Sequence, residues 1–220
     1  MLSIFATPVV DEWGTTYQLT TAGYTALVIA MIALLLIGCA IFGSKRKFSA
    51  KQLTFSAMAI ALAMVTSMLK LWDMPMGGSV TLLSMLFITL IGNWYGFGVG
   101  LTTALAYGIL QLVVDPYIIS LPQMLIDYIL AFGALGLAGV FCKSKYGLIK
   151  GYILGILGRF AFSTLSGYIF FPTFMPEFFD SALVYSICYN GAYMGVELVL
   201  TILGASLLLA SKPMRKLIGL

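Results

Sequence analysis

The sequence predicts an all-α polytopic membrane protein. Of its 220 residues, 61% are hydrophobic and only 9% are charged, and the mean hydropathy is +1.04. A soluble domain usually has about a quarter of its residues charged. The apolar stretches are each about 14 to 25 residues long, which is close to the length that a helix needs to cross a bilayer. The lipid bilayer is therefore the first partner that the sequence implies.

The placement of the charges predicts the orientation of the chain. Basic residues form three clusters, and most acidic residues lie in the segments between them. Under the positive-inside rule the basic clusters are cytoplasmic and the acidic segments are external. Basic clusters can also bind lipid head groups or nucleic acid, but the alternation favours topology, so no nucleic-acid partner is predicted. The clusters are Lys45, Arg46, Lys47 and Lys51; Lys143, Lys145 and Lys150; and Lys212, Arg215 and Lys216.

Seven spanning helices follow from this pattern, with the N-terminus outside and the C-terminus in the cytoplasm. The start of the chain lacks a basic region, and its short apolar run is followed by Asp11 and Glu12, so we expect an external tail rather than a signal peptide. A Lys-Arg-Lys run ends the first helix. The helices are predicted at 24–42, 55–71, 80–91, 97–114, 121–141, 147–171 and 181–210.

Two connections and one helix start are informative. The external loop from Lys70 to Ser79 contains Trp72 and two glycines, and it is either an interfacial turn or a lid over an outward-facing pocket. The sequence Gly-Asn-Trp-Tyr-Gly predicts a turn at 92–96. Pro122 lies in the first turn of its helix, where proline is tolerated.

The residue types exclude several functions. Histidine is absent, which excludes any mechanism that needs a histidine base or metal ligand. Cys39, Cys142 and Cys188 show no disulfide or metal-binding pattern and are expected to be buried packing residues. The sequence therefore predicts no metal and no cofactor.

Asp127 is the centre of the predicted site. A lone carboxylate inside an apolar helix costs roughly 2.5 to 3.5 kcal/mol on insertion scales, so it should face a cavity, a partner or a ligand. Helical rise places Ser163, Tyr185 and Asn190 at a similar depth in the outer leaflet. This layer suits a planar cationic heterocycle. The aromatic rings expected around it are Trp72, Tyr117, Tyr128, Phe171, Tyr185 and Tyr189.

Structural explanations compete with this hypothesis. The tyrosines could form an interfacial belt, with Asp127 paired to a lysine such as Lys70. Arg159 and Glu197, which lie deeper, are predicted to pair with each other. Four alanines at alternate positions create two overlapping Ala-x-x-x-Ala spacings, which permit close helix approach within the bundle or against a partner. They are Ala57, Ala59, Ala61 and Ala63.

At these residues the chain resembles the thiamine-specific substrate-binding (S) component of energy-coupling factor (ECF) vitamin transporters, the ThiT or YuaJ family. The resemblance covers roughly residues 52–220. The segments that carry it are GGSVTLLSM from Gly77, Tyr117 followed by PQMLIDYILAF, LGLAG from Leu135, and YSICYNGAYM from Tyr185.

The resemblance implies a six-helix S component that holds thiamine near the outer face. Such a component docks on an ECF module, made of a transmembrane T protein and two ATPases. Asp127 matches the acidic position that faces the thiazolium, and either Ala57 with Ala61 or Ala59 with Ala63 matches the alanine motif that contacts the T protein. Other pocket positions are matched by Tyr117, Tyr128, Tyr185 and Asn190.

The chain departs from the family at three pocket positions. The acid is Asp127 where the family usually has glutamate, Ser163 stands where the family has histidine, and Phe171 stands where it has tryptophan. The helix at 24–42 is additional to the usual six. These departures leave a thiamine precursor or another aromatic cation as alternative ligands.

The sequence thus predicts two parts and one function. Residues 1–51 form the tail, the additional helix and a basic linker, and residues 52–220 form the substrate-binding domain. The chain has no Gly-x-x-x-x-Gly-Lys-Ser/Thr phosphate loop, so we expect ATP hydrolysis on partner subunits and a non-enzymatic role in the cell (plasma) membrane. A self-sufficient secondary carrier is the alternative. A small membrane enzyme is disfavoured, because few groups could act as general acids or bases.

Overall fold

The computed structural model describes residues 4–11, 14–23, 25–26, 29, 48–142 and 144–210. Within these ranges the chain forms six helices of at least 12 residues, some shorter helical turns and two β-hairpins. Most of the predicted additional helix at 24–42 falls outside the described residues. Cys39 lies outside them as well. The additional helix and the total of seven therefore stay predictions.

Two short antiparallel hairpins correct the expectation of an all-helical chain. Strand β1, Ala6–Asp11, pairs with β2, Gly14–Leu19, inside the predicted tail. Strand β3, Lys70–Asp73, pairs with β4, Ser79–Thr81, in the predicted external loop. We call residues 70–81 the mouth hairpin.

Helix α1, Ala50–Ser67, begins with a capping box. The Ser49 hydroxyl accepts from the Gln52 backbone N–H at 3.2 Å, and the Gln52 side chain accepts from the Ser49 N–H at 3.0 Å. These reciprocal bonds satisfy backbone donors that the helix itself leaves unpaired. The helix was predicted to continue to 71 but ends at Ser67, because the chain enters strand β3 at Lys70.

Helices α2, Ser84–Tyr95, and α3, Phe97–Val114, are separated by Gly96. The φ angle of Gly96 is +87°, a conformation that favours glycine and that reverses the chain. The predicted bounds of α3, 97–114, are confirmed. Helix α2 starts later than the predicted position 80, because residues 79–81 belong to the mouth hairpin.

Helix α4, Leu121–Phe141, is irregular in its middle and at its end. It begins with Pro122 in the first turn, as predicted, and the Ser120 hydroxyl accepts from the Gln123 N–H. A π-helical segment follows at Leu125–Leu130, and Ala134–Phe141 is wound as a 3₁₀-helix. Wide π-turns are rare and occur often at functional sites. This one carries Asp127 and Tyr128.

Helices α5, Gly147–Phe170, and α6, Ala182–Ala210, complete the bundle. Helix α4 packs against α2, α3 and α5, and α5 packs against α6. The backbones of α2 and α4 approach so closely that a Cβ atom at Gly92 would lie 2.9 Å from the Gly139 nitrogen. Such contacts, with small residues between helices, are typical of membrane bundles.

Four described helices are long and apolar enough to cross a membrane. Their outward faces expose large apolar side chains, which suits contact with lipid rather than water. Cys188 is on the exposed surface of α6 and Cys142 is half-buried, so the prediction of buried packing cysteines is wrong for Cys188. The four spans are Phe97–Val114, Leu121–Phe141, Gly147–Phe170 and Ala182–Ser206.

Candidate ligand-binding site

A cavity of about 140 Å³ opens at the end of the bundle that the mouth hairpin covers. All the described helices contribute to its wall, together with the mouth hairpin and the segment between α3 and α4. The structure brings seven of the eight predicted ligand-binding residues to this one cavity. They are Asp127, Tyr128, Tyr117, Tyr185, Asn190, Ser163 and Phe171.

Trp72 is the predicted residue that the structure places elsewhere. Its ring does not line the cavity and is 49% exposed. All four residues of β3 are exposed, because this strand is the outer one of the mouth hairpin. Strand β4, with Val80 and Thr81 buried, faces the bundle instead. The position of Trp72 therefore does not support the prediction that it binds the ligand.

Asp127 is held inside the protein by two neutral donors. Its Oδ2 accepts from Gln123 Nε2 at 2.7 Å and from Ser166 Oγ at 2.9 Å. The competing hypothesis paired Asp127 with Lys70, and the structure contradicts it. Lys70 instead bonds to Asp115 at 3.0 Å and to Asp73 at 3.5 Å.

Lys70 thus connects the mouth hairpin to the end of α3. Partial burial acts to lower the pKa of Lys70, but the hydrogen bond that Lys70 donates to Asp115 and the charges of Asp115 and Asp73 together outweigh it. The pKa lies above its ordinary value, so the ammonium stays charged at neutral pH. Both carboxylates are largely exposed, and this limits the strength of the link.

Aromatic rings form two groups around the acid. The rings of Tyr117 and Phe171 are stacked, with centroids 6.0 Å apart and an angle of 16° between planes. On α6, the rings of Tyr185, Tyr189 and Tyr193 follow one another at centroid distances of 5.9 Å. Since four-residue spacing places side chains on one face of a helix, this face of α6 is an aromatic column. Flat faces of this kind suit a planar or cationic ligand.

Two tyrosine hydroxyls fasten the mouth of the cavity. The Tyr128 hydroxyl accepts from the Tyr117 N–H at 2.7 Å and donates to the Asp115 carbonyl at 2.9 Å. The Tyr189 hydroxyl accepts from the Gly78 N–H at 3.0 Å and donates to the Pro75 carbonyl. Tyrosines that an interfacial belt would direct outward therefore point into the protein and fix its loops.

Asn190 and Ser163 lie deeper in the cavity. The Asn190 amide nitrogen donates to the Ser186 and Ser163 carbonyls at 2.9 and 3.3 Å. Its oxygen accepts from the Tyr193 hydroxyl at 2.9 Å. Because Asn190 is 4% exposed, its side chain mainly joins α5 to α6 and orients Tyr193.

The predicted ion pair between Arg159 and Glu197 does not form. The Arg159 guanidinium lies 4.1 Å from the centroid of the Phe132 ring, and its Nη1 approaches the Met85 sulfur at 2.7 Å. Its Nε is buried and has no hydrogen-bond partner among the described residues. Arg159 is therefore a cavity-lining cation that interacts with an aromatic face.

Glu197 pairs with polar groups at the start of α2. Its Oε1 accepts from the Thr81 hydroxyl at 2.8 Å, and its Oε2 accepts from the Thr81 N–H at 3.2 Å. The residue before the helix, Leu83, is left-handed and supplies no side-chain cap. The Ser84 hydroxyl, at the first residue of α2, also lies 3.5 Å from Glu197 Oε1. The carboxylate of α6 thus joins β4 to the start of α2, where a negative charge is favourable.

Sequence reasoning missed Gln123, Ser166 and Tyr193. The four-residue spacing of Gln123 and Asp127 on one helix could have indicated their contact. The regular spacing of Tyr185, Tyr189 and Tyr193 could have indicated the aromatic column. No local signal marks Ser166, because its contact with Asp127 depends on how α5 packs against α4.

The structure separates the two alanine spacings of α1. Ala59 and Ala63 are buried, at 8% and 0% exposure, and pack inside the bundle. Ala57 and Ala61 are exposed on the outer surface. Only the second pair is accessible to another protein.

The comparisons with known proteins agree with this architecture. Residues 53–217 match the family described as thiamine transporter protein, Thia_YuaJ. Thiamine transporter ThiT of Bacillus subtilis (strain 168) is 32% identical over 172 residues, which are 72% of this chain and 88% of that protein.

A solved structure of ThiT from Listeria monocytogenes superimposes with a TM-score of 0.66 at 26% identity. The match covers 76% of this chain and 96% of that one. The relatives are transporters and not enzymes, as was predicted for this chain. Since the family match covers most of the sequence, the chain belongs to the thiamine transporter protein family.

Proposed function

We propose that this chain is the substrate-binding S component of an ECF-type importer and that it binds thiamine in the cavity around Asp127. The observation that carries the proposal is that Asp127 lies among aromatic rings in the wall of one cavity in a largely apolar bundle. Thiamine is a cation built from two planar heterocycles. A negative charge and ring faces are the groups that recognise such a ligand.

The charge pattern supports an outward orientation of the cavity in the plasma membrane. The mouth hairpin and the segment after α3 carry Asp73 and Asp115, whereas the connection between α4 and α5 carries Lys145. Positively charged loops favour the cytoplasm. The cavity therefore collects its ligand from outside the cell, and the mouth hairpin covers it.

Calorimetric titration of thiamine into the purified protein in detergent tests the proposal. Calorimetry is preferable to tryptophan fluorescence, because neither Trp72 nor Trp94 lines the cavity. We expect saturable binding with a stoichiometry near one and weaker binding of the separate pyrimidine and thiazole halves. A folded protein that binds one of the halves or another aromatic cation better than thiamine would redirect the proposal to that ligand.

Energy for uptake is expected from an ECF module of one T protein and two ATPases. The exposed pair Ala57 and Ala61 offers a flat helix surface on which a transmembrane partner can pack closely. Uptake of thiamine by cells that contain this chain, with and without the module, separates this proposal from a secondary carrier. A secondary carrier would transport thiamine without the ATPases.

We expect Ala61→Trp to abolish module-dependent uptake while leaving the Kd for thiamine unchanged. The indole would hold the partner helix away from α1 without reaching the cavity. Ala161→Trp, on the exposed surface of α5, is the matched control. It should preserve both the module-dependent uptake and the Kd for thiamine. Normal uptake by Ala61→Trp would place the docking surface elsewhere on the bundle.

A further inference from the structure

We propose that Gln123 and Ser166 are positioning residues that fix Asp127 through one carboxylate oxygen, Oδ2, and so leave Oδ1 directed to the cation of the ligand. This inference rests on the proposed function, because it explains how the same site discriminates a charged ligand. Neither residue is needed as a ligand contact in this arrangement. Each acts through Asp127.

The two donors approach one oxygen from different elements. Gln123 Nε2 belongs to α4 and lies 2.7 Å from Asp127 Oδ2, and Ser166 Oγ belongs to α5 and lies 2.9 Å from it. Both donor side chains are 1% exposed. Two bonds from separate helices prevent the carboxylate from rotating, and their burial protects them from competition with water.

Gln123 is itself fixed on both sides of its amide. Its oxygen accepts from the Ile119 N–H at 3.0 Å, and its nitrogen also donates to the Tyr117 carbonyl at 3.1 Å. These bonds define the orientation of the amide and connect Asp127 to the segment at the mouth. Replacement of Gln123 would therefore disturb both the orientation of Asp127 and the segment at the mouth. The Ser166 hydroxyl, in contrast, bonds to Asp127 alone.

The other oxygen of Asp127 receives no hydrogen bond from the residues that the structure describes, and Asp127 lines the cavity. Glu197 offers an internal comparison. That carboxylate also lines the cavity, but both of its oxygens are engaged, one by the Thr81 hydroxyl and one by the Thr81 N–H. A carboxylate with one oxygen held and the other open is arranged to meet an incoming charge.

The test compares thiamine with its thiophene analogue, which has the same shape but no positive charge. We expect Ser166→Ala to weaken thiamine binding about tenfold, because a hydrogen bond to an ionised group is lost. Binding of the uncharged analogue should change less than about twofold, since positioning of the charge does not affect it. Thr89→Val is the control, because it removes a buried hydroxyl that bonds within α2 and does not line the cavity.

Each possible result either supports or overturns the positioning role. A selective loss of thiamine affinity supports the positioning role. An equal loss for both ligands, or no loss for either, overturns it and leaves the proposed function intact. Failure of the unmodified protein to bind thiamine overturns the proposed function and this inference with it. If Ser166→Ala does not fold, Ser166→Cys keeps the volume with a much weaker donor and should show the same selectivity.

Discussion

Asp127→Asn is expected to weaken thiamine binding by about 1 to 3 kcal/mol, which corresponds to about 5-fold to 150-fold in Kd. The substitution removes the charge but keeps the size of the side chain. Its carbonyl oxygen can still accept from Gln123 and Ser166. The expected loss therefore reports on the charge and not on a collapse of the cavity.

Calorimetry with thiamine and with its thiophene analogue measures this effect. Asp180→Asn is the matched control, because it makes the same change in the exposed loop between α5 and α6. It should leave both affinities unchanged. If a folded Asp127→Asn protein bound thiamine as well as the unmodified protein, Asp127 would have no role in recognition of the cation.

The sequence was sufficient to predict features that depend on local chemistry. The observed bounds of α3 agree with the predicted ones, because Gly96 stands directly before the helix and the Asp115-Pro116 pair directly after it. Pro122 also lies in the first turn of its helix, as predicted. These properties belong to one segment and do not require knowledge of its neighbours.

The direction in which a side chain points was harder to predict. The π-helical segment of α4 inserts an extra residue in the turn that carries Asp127. One residue corresponds to about 100° around a helix axis, so a regular helix gives the wrong face for later residues. The partners of Arg159 and Glu197 were missed for a related reason. Their similar predicted depth suggested that the two residues are neighbours. The Glu197 side chain instead bonds to Thr81, just before α2.

The mouth hairpin escaped prediction because its strands are only four and three residues long. Neither is long enough to show a clear alternation of apolar and polar residues. Its position follows from tertiary contacts, in which Gly78 lies under the Tyr189 hydroxyl and leaves no space for a side chain. A glycine pair in the sequence indicated a turn but not the two strands around it.

Glu197→Ala is expected to lower the free energy of unfolding by about 2 to 4 kcal/mol, since a buried carboxylate is removed and its donors lose their partner. The Thr81 hydroxyl and N–H would be left without the carboxylate, and β4 would lose these bonds to α6. Glu197 also lines the cavity, but both of its oxygens already bond to Thr81, so the expected loss is one of stability. Thermal denaturation in detergent should show a lower Tm.

Glu177→Ala provides the control, because this carboxylate lies exposed in the loop between α5 and α6. We expect it to leave the Tm unchanged. Excess thiamine should raise the Tm of the unmodified protein and of Glu197→Ala by similar amounts, since both oxygens of Glu197 are taken up by Thr81. A normal Tm combined with a loss of thiamine binding would contradict the stabilising role and assign Glu197 to the binding site instead.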